Sequence, residues 1–302
     1  MSANSHLINF LHVPCGVYIE LNYSTKPKQM KILVIGAGNM GLTYAHGMAQ
    51  SDLLKDKDLM ILDNSQERIE ELRAEGMFDV YQNLEDCLPK ADIVFIAVKP
   101  YHSDEVFEAI KMHKNPDQIF VSIMAGVTIK TMQEAMDIKK VVRAMPNLAA
   151  QVGHGFTSFI GSKEVSRLEL LTVEKLIDTT GRSIKLANEM EIDKSTGISG
   201  SGPAYVFYFM ESMMEAAVKM GFLEKDARLM VAQTFQGAVE LFNSSDLDPT
   251  AWMNKVASKG GTTRAALDSM EENNVKELIK DAAYAAFDRA VQLGKENNKP
   301  RV

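Results

Sequence analysis

The sequence is poor in the residues that mark several protein classes. Its two cysteines, Cys15 and Cys87, are too few for a disulfide framework or a cysteine-based metal site, which favours a reducing, cytoplasmic compartment. The six histidines form no HExxH-type ligand pair, so no metal site is predicted. No run approaches the roughly 20 apolar residues of a membrane span. The formal net charge of -7 argues against a nucleic-acid-binding surface, which needs clustered Lys and Arg.

What remains is the composition of an ordinary globular protein, with 46% hydrophobic and 24% charged residues. The 302 residues are enough to bury one large core or two modest ones. The first 29 residues differ from the rest, since residues 7–21 form a short apolar run broken by Pro14 and Gly16. The first lysine is Lys26, so the basic start of a signal peptide is missing. A tag, an upstream start codon or a loosely packed extension is the favoured interpretation.

A short apolar segment, residues 31–35, runs directly into the glycine-rich residues 36–41. The apolar segment is typical of a strand buried on both faces, and a helical pattern follows the glycines. Here Gly36 would turn the chain sharply, Gly38 would let the backbone approach a pyrophosphate, and Gly41 would let helix and strand pack closely. Free amides at the positive end of the helix dipole would then hold the phosphates. The pattern predicts a dinucleotide-binding unit; the alternative is a tight turn without a ligand.

An acidic residue ends the second predicted strand. Residues 59–62 are apolar, and Asp63 follows them about 20 residues past the last motif glycine, where a carboxylate accepts hydrogen bonds from the adenosine ribose. Asp63 stands one residue early for the alternative role of capping the helix predicted at residues 65–75. A carboxylate there would repel a 2′-phosphate, which favours NADH, while Arg68 one helical turn on keeps NADPH possible.

Three further apolar segments, residues 91–98, 118–123 and 139–143, alternate with helical stretches. This alternation predicts a parallel sheet with right-handed crossovers, in which ligands bind at the carboxyl ends of the strands. Lys99 follows the first of these segments and is placed to contact the cofactor ribose or phosphates; otherwise it is a solvated loop lysine.

The second half of the sequence is helical. Residues 196–203 open a long helix, with Pro203 in its first turn, where the missing amide costs nothing. Residues 205–220 are apolar except for one narrow polar stripe, so most sides of this helix must be covered. A homodimer through this helix follows as a hypothesis; its methionines alternatively suit a pliable ligand groove. Further helices are predicted over residues 224–243, 249–257, 262–272 and 274–295.

These patterns together predict the fold class and the domains. We expect an α/β Rossmann-type doubly wound parallel sheet followed by an all-α dimerisation domain. The predicted divisions are an extension at residues 1–29, a dinucleotide-binding domain at 30–188, and a helical substrate and dimerisation domain at 189–302.

One segment of the helical half is chemically unusual. Residues 258–263 read Ser-Lys-Gly-Gly-Thr-Thr, so two glycines precede two threonines at a predicted helix start. Such a start offers free amides and hydroxyls suited to a carboxylate, although an ordinary capped helix start is an equal interpretation from this segment alone.

Taken together, these segments resemble the pyrroline-5-carboxylate reductase family over residues 30 to about 297. Besides the glycine motif, the matching segments are AVKP at 97–100, AGVT at 125–128, RAMPN at 143–147, SGSGPAY at 199–205 and SKGGTT at 258–263. The last two are specific in this order and spacing, whereas many dehydrogenases share the glycine motif. The chain departs from the family at Lys259, where proline is usual, and at Asp63-Asn64, where NADP-preferring members often carry Asn-Arg.

The resemblance implies hydride transfer from NAD(P)H to the C=N bond of 1-pyrroline-5-carboxylate, giving L-proline in the last step of proline biosynthesis. It implies that the amides of Gly261, Thr262 and Thr263 hold the substrate carboxylate and that Thr263 is the catalytic residue, its hydroxyl reaching the ring nitrogen. By the same resemblance, Glu189 is a substrate-site carboxylate that favours the cationic imine.

The predicted site residues form two groups. Those expected to bind the cofactor are Gly36, Ala37, Gly38, Asn39, Met40, Gly41, Asp63, Asn83, Ala97, Val98, Lys99 and Ala125. Those expected to bind the substrate are Glu189, Ser258, Gly260, Gly261, Thr262 and Thr263. The expected partners are a small-molecule substrate and a second copy of the chain, in a homodimer or higher homo-oligomer, with no nucleic acid or membrane.

Two other functions stay open at this point. Another NAD(P)-dependent imine or β-hydroxyacid reductase would need a Lys or His proton donor on the long helix, where Lys219 lies near the far end. A non-catalytic, nucleotide-sensing dimer would keep the glycine motif but would have no need of the threonine loop.

Overall fold

A computed structural model of the protein describes residues 30–54 and 58–297. The predictions made for residues 1–29, among them Cys15, lie outside these described residues.

Within the described ranges, eight strands alternate with helices and a run of helices follows. The strands are β1 (Ile32–Ile35), β2 (Leu59–Leu62), β3 (Asp79–Tyr81), β4 (Ile93–Ile96), β5 (Ile119–Ser122), β6 (Val141–Met145), β7 (Gly155–Gly161) and β8 (Gly181–Lys185). The helices among and just after the strands are α1 (Asn39–Ala49), α2 (Gln66–Glu75), α3 (Leu84–Cys87), α4 (Ser103–His113), α5 (Ile129–Met136), α6 (Arg167–Ile177) and α7 (Met190–Ser195). The later helices are α8 (Gly202–Lys219), α9 (Glu224–Asn243), α10 (Pro249–Val256), α11 (Thr262–Glu272) and α12 (Val275–Asn297).

The strands form one sheet in the order β3-β2-β1-β4-β5-β6-β7-β8. Strands β1 to β6 pair in parallel, with Ile32 opposite both Leu59 and Ile93. The first strand lies between β2 and β4, and its residues are buried on both faces: Val34 packs into one cluster of side chains and Leu33 into another. Helices therefore cover both faces of the sheet, and the predicted Rossmann-type fold followed by helices is confirmed.

The sheet is larger than the five strands predicted, and it is not parallel throughout. Strand β7 runs antiparallel to β6, and β8 is parallel to β7. Strands β3, β7 and β8 were not predicted because they lack a continuous apolar run. Strand β7 buries the polar Thr157, whose hydroxyl pairs with the Tyr44 hydroxyl at 2.8 Å.

The start of the long helix agrees with its sequence pattern. Helix α8 has Ser201 at its N-cap and Pro203 in its first turn. Residues 196–200 form a π-helical turn between α7 and α8, and its Gly197 and Ser199 carbonyls accept bonds from the Tyr205 hydroxyl at 2.9 Å and the Asn147 amide at 3.0 Å.

The helices beyond this turn bury few side chains within one chain. In α8 to α12 the buried residues are Ala227, Val231 and Ala290, while Phe207 and Tyr208 of α8 are 60% and 70% exposed. An apolar helix left this open requires a further surface against it. Among the described residues, every helix is too short or too polar to cross a membrane.

Helix α12 connects the helical part to the sheet. It packs against α7 and the π-helical turn, where a Cβ added to Gly197 would come within 3.0 Å of the Ala283 carbonyl oxygen. At its far end Asn297 donates a hydrogen bond to the Ala125 carbonyl at 3.4 Å, beside the carboxyl end of β5. The predicted domain boundary stays a prediction; the last strand ends at Lys185 and α7 begins at Met190.

Candidate functional site

The glycine-rich turn follows β1 directly and is closely packed where its glycines require it. Gly36 has a φ of +99°, a conformation that favours glycine, and an added Cβ would approach the Ala97 carbonyl oxygen and Val98 Cγ1 at 3.1 Å. An added Cβ on Gly41 would overlap the Gly36 carbonyl oxygen. Helix α1 and strand β1 therefore touch only because both residues are glycines.

The start of α1 is open, and the first turn of this helix carries no acidic side chain. Gly38 is the N-cap in extended conformation, with no side-chain cap and no acidic residue in the first turn, which begins at Asn39. Gly38 is exposed, and a Cβ on it would meet no atom of the described residues within 4 Å. Uncapped amides facing open space at a helix N-terminus fit the pyrophosphate of a dinucleotide.

The Asp63 carboxylate lies against the glycine-rich turn. Its Oδ2 accepts a hydrogen bond from the Ala37 backbone N–H at 2.6 Å, and its Oδ1 accepts from the Ser65 N–H at 2.9 Å. The N-cap of α2 is Ser65 rather than Asp63. Arg68 donates to Glu71 at 2.7 Å on the exposed face of α2. The position suits a ribose, since each carboxylate oxygen retains lone-pair capacity for a hydroxyl.

The other predicted cofactor residues lie at the ends of neighbouring elements. Ala97 and Val98 are half-buried beside Gly36, at the carboxyl end of β4. Lys99 is exposed at the start of a short 3₁₀ turn. Asn83 is exposed at the N-cap position of α3, where its amide donates to Asp86 at 3.3 Å. They occupy the β1, β3 and β4 portion of the sheet edge, as expected where ligands bind at the carboxyl ends of parallel strands.

The threonine loop has the predicted form. The Gly261 N–H donates to the Ser258 carbonyl at 3.0 Å, and Gly260 has a φ of +71°, so the chain turns tightly before α11. Gly261 is the N-cap without a side-chain cap, and α11 begins at Thr262. Thr263 is half-buried in the first turn. The first-turn amides and two hydroxyls thus lie together at a helix N-terminus, an arrangement that fits a carboxylate.

The two predicted parts of the site belong to different parts of the chain. The glycine-rich turn packs against the end of β4, while α11 has α12 as its main packing partner. Helix α12 reaches the loop after β5 through Asn297, so it is the element that relates the two parts within one chain.

The structure places the partly exposed Glu189 in an ion-pair network around the buried Arg143, which sequence reasoning did not foresee. Its Oε1 accepts hydrogen bonds from Arg143 Nη1 at 3.1 Å and from the Ile129 backbone N–H at 2.8 Å. Arg143 Nη2 donates to Asp193 Oδ1 at 2.8 Å. The available signal was an arginine inside the apolar strand β6, because a charge in such a position needs partners.

Two buried groups, Tyr44 in α1 and Cys87 in α3, have shifted pKa values. Burial raises the pKa of Tyr44 to about 12, although its bond with Thr157 opposes the shift. Burial raises the pKa of the Cys87 thiol to about 11. The Cys87 thiol is therefore neutral near pH 7 and unsuited to act as a nucleophile.

Two family models match the chain. The model for pyrroline-5-carboxylate reductase dimerisation matches residues 189–293. The model for NADP oxidoreductase, coenzyme F420-dependent, matches residues 31–126.

Relatives and solved structures match nearly the whole chain. A pyrroline-5-carboxylate reductase of Staphylococcus haemolyticus is 33% identical and covers 89% of this chain and 100% of its own length. Pyrroline-5-carboxylate reductase 2 of Bacillus subtilis is 32% identical, covering 87% of this chain and 95% of its own. The Plasmodium falciparum pyrroline carboxylate reductase, solved with NADP bound, has a TM-score of 0.79 at 29% identity over 88% of this chain and 98% of that chain. A Coxiella burnetii pyrroline-5-carboxylate reductase has a TM-score of 0.82 at 28% identity with the same coverage. By its sequence and its fold, this chain belongs to the pyrroline-5-carboxylate reductase family.

Proposed function

We propose that the chain reduces the carbon–nitrogen double bond of 1-pyrroline-5-carboxylate with hydride from a nicotinamide cofactor, giving proline. The observation that carries the proposal is the uncapped start of α11 at residues 261–263, in a chain of this family that also has the complete glycine-rich turn. This start supplies what a carboxylate-bearing cyclic imine needs, namely backbone donors for the carboxylate and a hydroxyl for the ring nitrogen.

The chemistry asks the protein chiefly for orientation. When bound, the reduced nicotinamide supplies the hydride. The protonated imine is already electrophilic, so hydride addition to the C=N carbon gives a neutral ring amine, which then takes a proton from water. The protein accelerates this reaction by holding the cofactor and the substrate in one reactive geometry. The first-turn amides of α1 would hold the cofactor pyrophosphate, and those of α11 would hold the substrate carboxylate.

Thr263 is the residue proposed to touch the reacting group. Its hydroxyl contacts the ring nitrogen: it accepts a hydrogen bond from the N–H of the protonated imine, and it can donate to the lone pair that hydride addition leaves on the amine nitrogen. Ser258 and Gly260 shape the turn before it, and Gly261 and Thr262 provide amides for the carboxylate.

We propose that NADH is used with higher efficiency than NADPH. The bond between Asp63 and the Ala37 amide holds a carboxylate beside the expected adenosine ribose, where a 2′-phosphate would meet like charge. Arg68, the nearby cation that would favour the phosphate, is already paired with Glu71.

We propose a homodimer formed through α8, as the simplest homo-oligomer that covers its exposed apolar face. We also propose that the two domains divide between residues 188 and 189. A cytoplasmic location, where free thiols stay reduced, is a further part of the proposal.

The position of Lys219 on the long helix gives little support to another imine or β-hydroxyacid reductase. Lys219 is the last residue of α8, at the end opposite the SGSGPAY segment. A proton donor there is a full helix length from the motif that opens the helix.

The decisive assay mixes purified protein with NADH and 1-pyrroline-5-carboxylate and follows the loss of reduced-cofactor absorbance and the appearance of proline. Turnover with this imine and none with a β-hydroxyacid and oxidised cofactor is the expected result. Cofactor binding without turnover would instead identify a nucleotide-sensing protein.

A further inference from the structure

The loop after β5 lies between the sheet and the helical part of the chain. It runs over residues 124–128 and includes Ala125, one of the predicted cofactor contacts. In the strand order, β5 follows β4, whose carboxyl end packs against the glycine-rich turn. The loop is therefore on the ligand side of the sheet, next to the elements that hold the cofactor.

The loop is fixed to its surroundings at three points. Met124 and Val127 are buried in the core. The Ala125 carbonyl accepts a bond from Asn297 of α12 at 3.4 Å, and an added Cβ on Gly126 would meet the Leu293 carbonyl oxygen at 3.3 Å. The third point is the end of the loop, where the Ile129 N–H begins helix α5.

Glu189 makes this third attachment. Its Oε1 accepts the Ile129 N–H at 2.8 Å across 60 residues of sequence, and the same oxygen accepts Arg143 Nη1 at 3.1 Å. Arg143 is buried in β6, and its other arm bonds Asp193 at 2.8 Å. Its Nε has no partner among the described residues, so Arg143 depends on these two carboxylates for its remaining bonds.

We propose that Glu189 is a positioning residue that fixes the 124–128 loop for cofactor binding, and that it does not act as a ligand of the substrate. The inference rests on the proposed function for its account of what the loop holds. The Glu189 Oε1 already accepts two donors, the Ile129 N–H and the buried Arg143 guanidinium, so this oxygen is engaged within the chain. With Arg143 and Asp193, Glu189 ties the start of α7 to β6 and to the start of α5.

Two substitutions of Glu189 distinguish positioning from substrate binding. Glu189→Gln keeps an oxygen acceptor of the same length for Ile129 and Arg143 but loses the charge, whereas Glu189→Ala loses both. We expect Glu189→Ala to weaken the Kd of NADH roughly tenfold and to lower kcat, because the loop end is released. We expect Glu189→Gln to stay within about threefold of the unaltered protein in both quantities.

The measurements are NADH fluorescence titration without substrate, followed by steady-state kinetics. An equal loss of activity in Glu189→Gln and Glu189→Ala, with a raised KM for the imine and an unchanged Kd for NADH, would show that the Glu189 charge acts on the substrate. That result would overturn the proposal. An unchanged Kd for NADH in Glu189→Ala would also overturn it. Since the titration needs no substrate, its outcome stands even if the protein fails to reduce 1-pyrroline-5-carboxylate.

Glu191→Ala is the matched control on the same helix. Glu191 accepts bonds from the Ala187 N–H at 3.0 Å and from the Asn188 amide at 2.9 Å, which stabilises the start of α7 without touching Ile129 or Arg143. We expect a lower Tm and an unchanged Kd for NADH. If Glu191→Ala weakens NADH binding as much as Glu189→Ala does, the effect is general damage to α7 and the proposal fails. Thermal unfolding of all variants identifies any that do not fold.

Discussion

The sheet and the helical part of this chain bury their apolar side chains in opposite ways. In the sheet, Val34 and Phe95 are completely buried within one chain. In α8, Phe207 and Tyr208 are more than half exposed, although most residues of that helix are apolar. The first part therefore forms its own core, whereas the second needs another surface for its apolar face. The sheet thus contains the side chains that fold a single chain, and α8 carries the apolar side chains that are available for contact with another surface.

The largest effect is expected at the exposed face of α8. Phe207→Glu should disperse the homodimer into monomers, since a two-fold interface receives the change twice and an unpaired buried charge costs about 3–5 kcal/mol. Light scattering measures the assembly. Glu211→Gln, on the polar stripe of the same helix, is the control and should keep the dimer. A dimer that survives Phe207→Glu at micromolar concentration would place the interface elsewhere.

A similar loss is expected in the sheet, but of a different kind. Phe95→Ala should lower the free energy of unfolding by about 3–5 kcal/mol through the cavity it leaves. Because Phe95 is buried within one chain, this loss should not depend on protein concentration. The stability lost in Phe207→Glu should instead grow with concentration, because the unaltered dimer is stabilised by concentration and a monomeric variant is not. Denaturant unfolding at two protein concentrations measures both. A concentration-dependent loss for Phe95→Ala would break the comparison between the two regions.

A smaller effect is expected at the threonine loop. Thr263→Ala and Thr263→Val remove the hydroxyl that should bond the ring nitrogen, and the valine variant keeps the β-branched shape. Each should cost about 1.5–3 kcal/mol of transition-state stabilisation, which lowers kcat/KM roughly ten- to a hundredfold. The Kd of NADH should barely change, since the glycine-rich turn holds the cofactor. Near-normal rates in both variants would leave Thr263 as an ordinary helix-start residue, and lost cofactor binding would make the loop structural.

The smallest effect is expected at the end of β2. Asp63→Ser should narrow or reverse the preference for NADH over NADPH, by about tenfold, because it removes a charge that repels the 2′-phosphate. The ratio of kcat/KM for the two cofactors measures the change. A preference for NADPH in the unaltered protein would contradict the role given to Asp63 and would point to Arg68.

Much of the framework was predictable because its causes are local. The strands at the centre of the sheet have continuous apolar runs. Glycines at positions 36, 38 and 41, directly after a strand, are the pattern of a dinucleotide-binding turn. The helices from residue 224 onward were predicted within two residues of their observed bounds, since each has its own capping or breaking residues. Strand β7 and the edge strand β8 were missed because neither has a continuous apolar run and both have partly exposed residues.

What the sequence by itself determined is the alternation of the central strands with helices, the dinucleotide-binding turn and the family to which the chain belongs, because short segments of specific spacing carry that information. Only the tertiary structure decided which distant groups share a bond. The carboxylate of Asp63 meets the Ala37 amide across 26 residues, and Glu189 meets Arg143 across 46. Such contacts follow from how strands and helices pack in space, and no local pattern encodes the direction in which a side chain finds its partner.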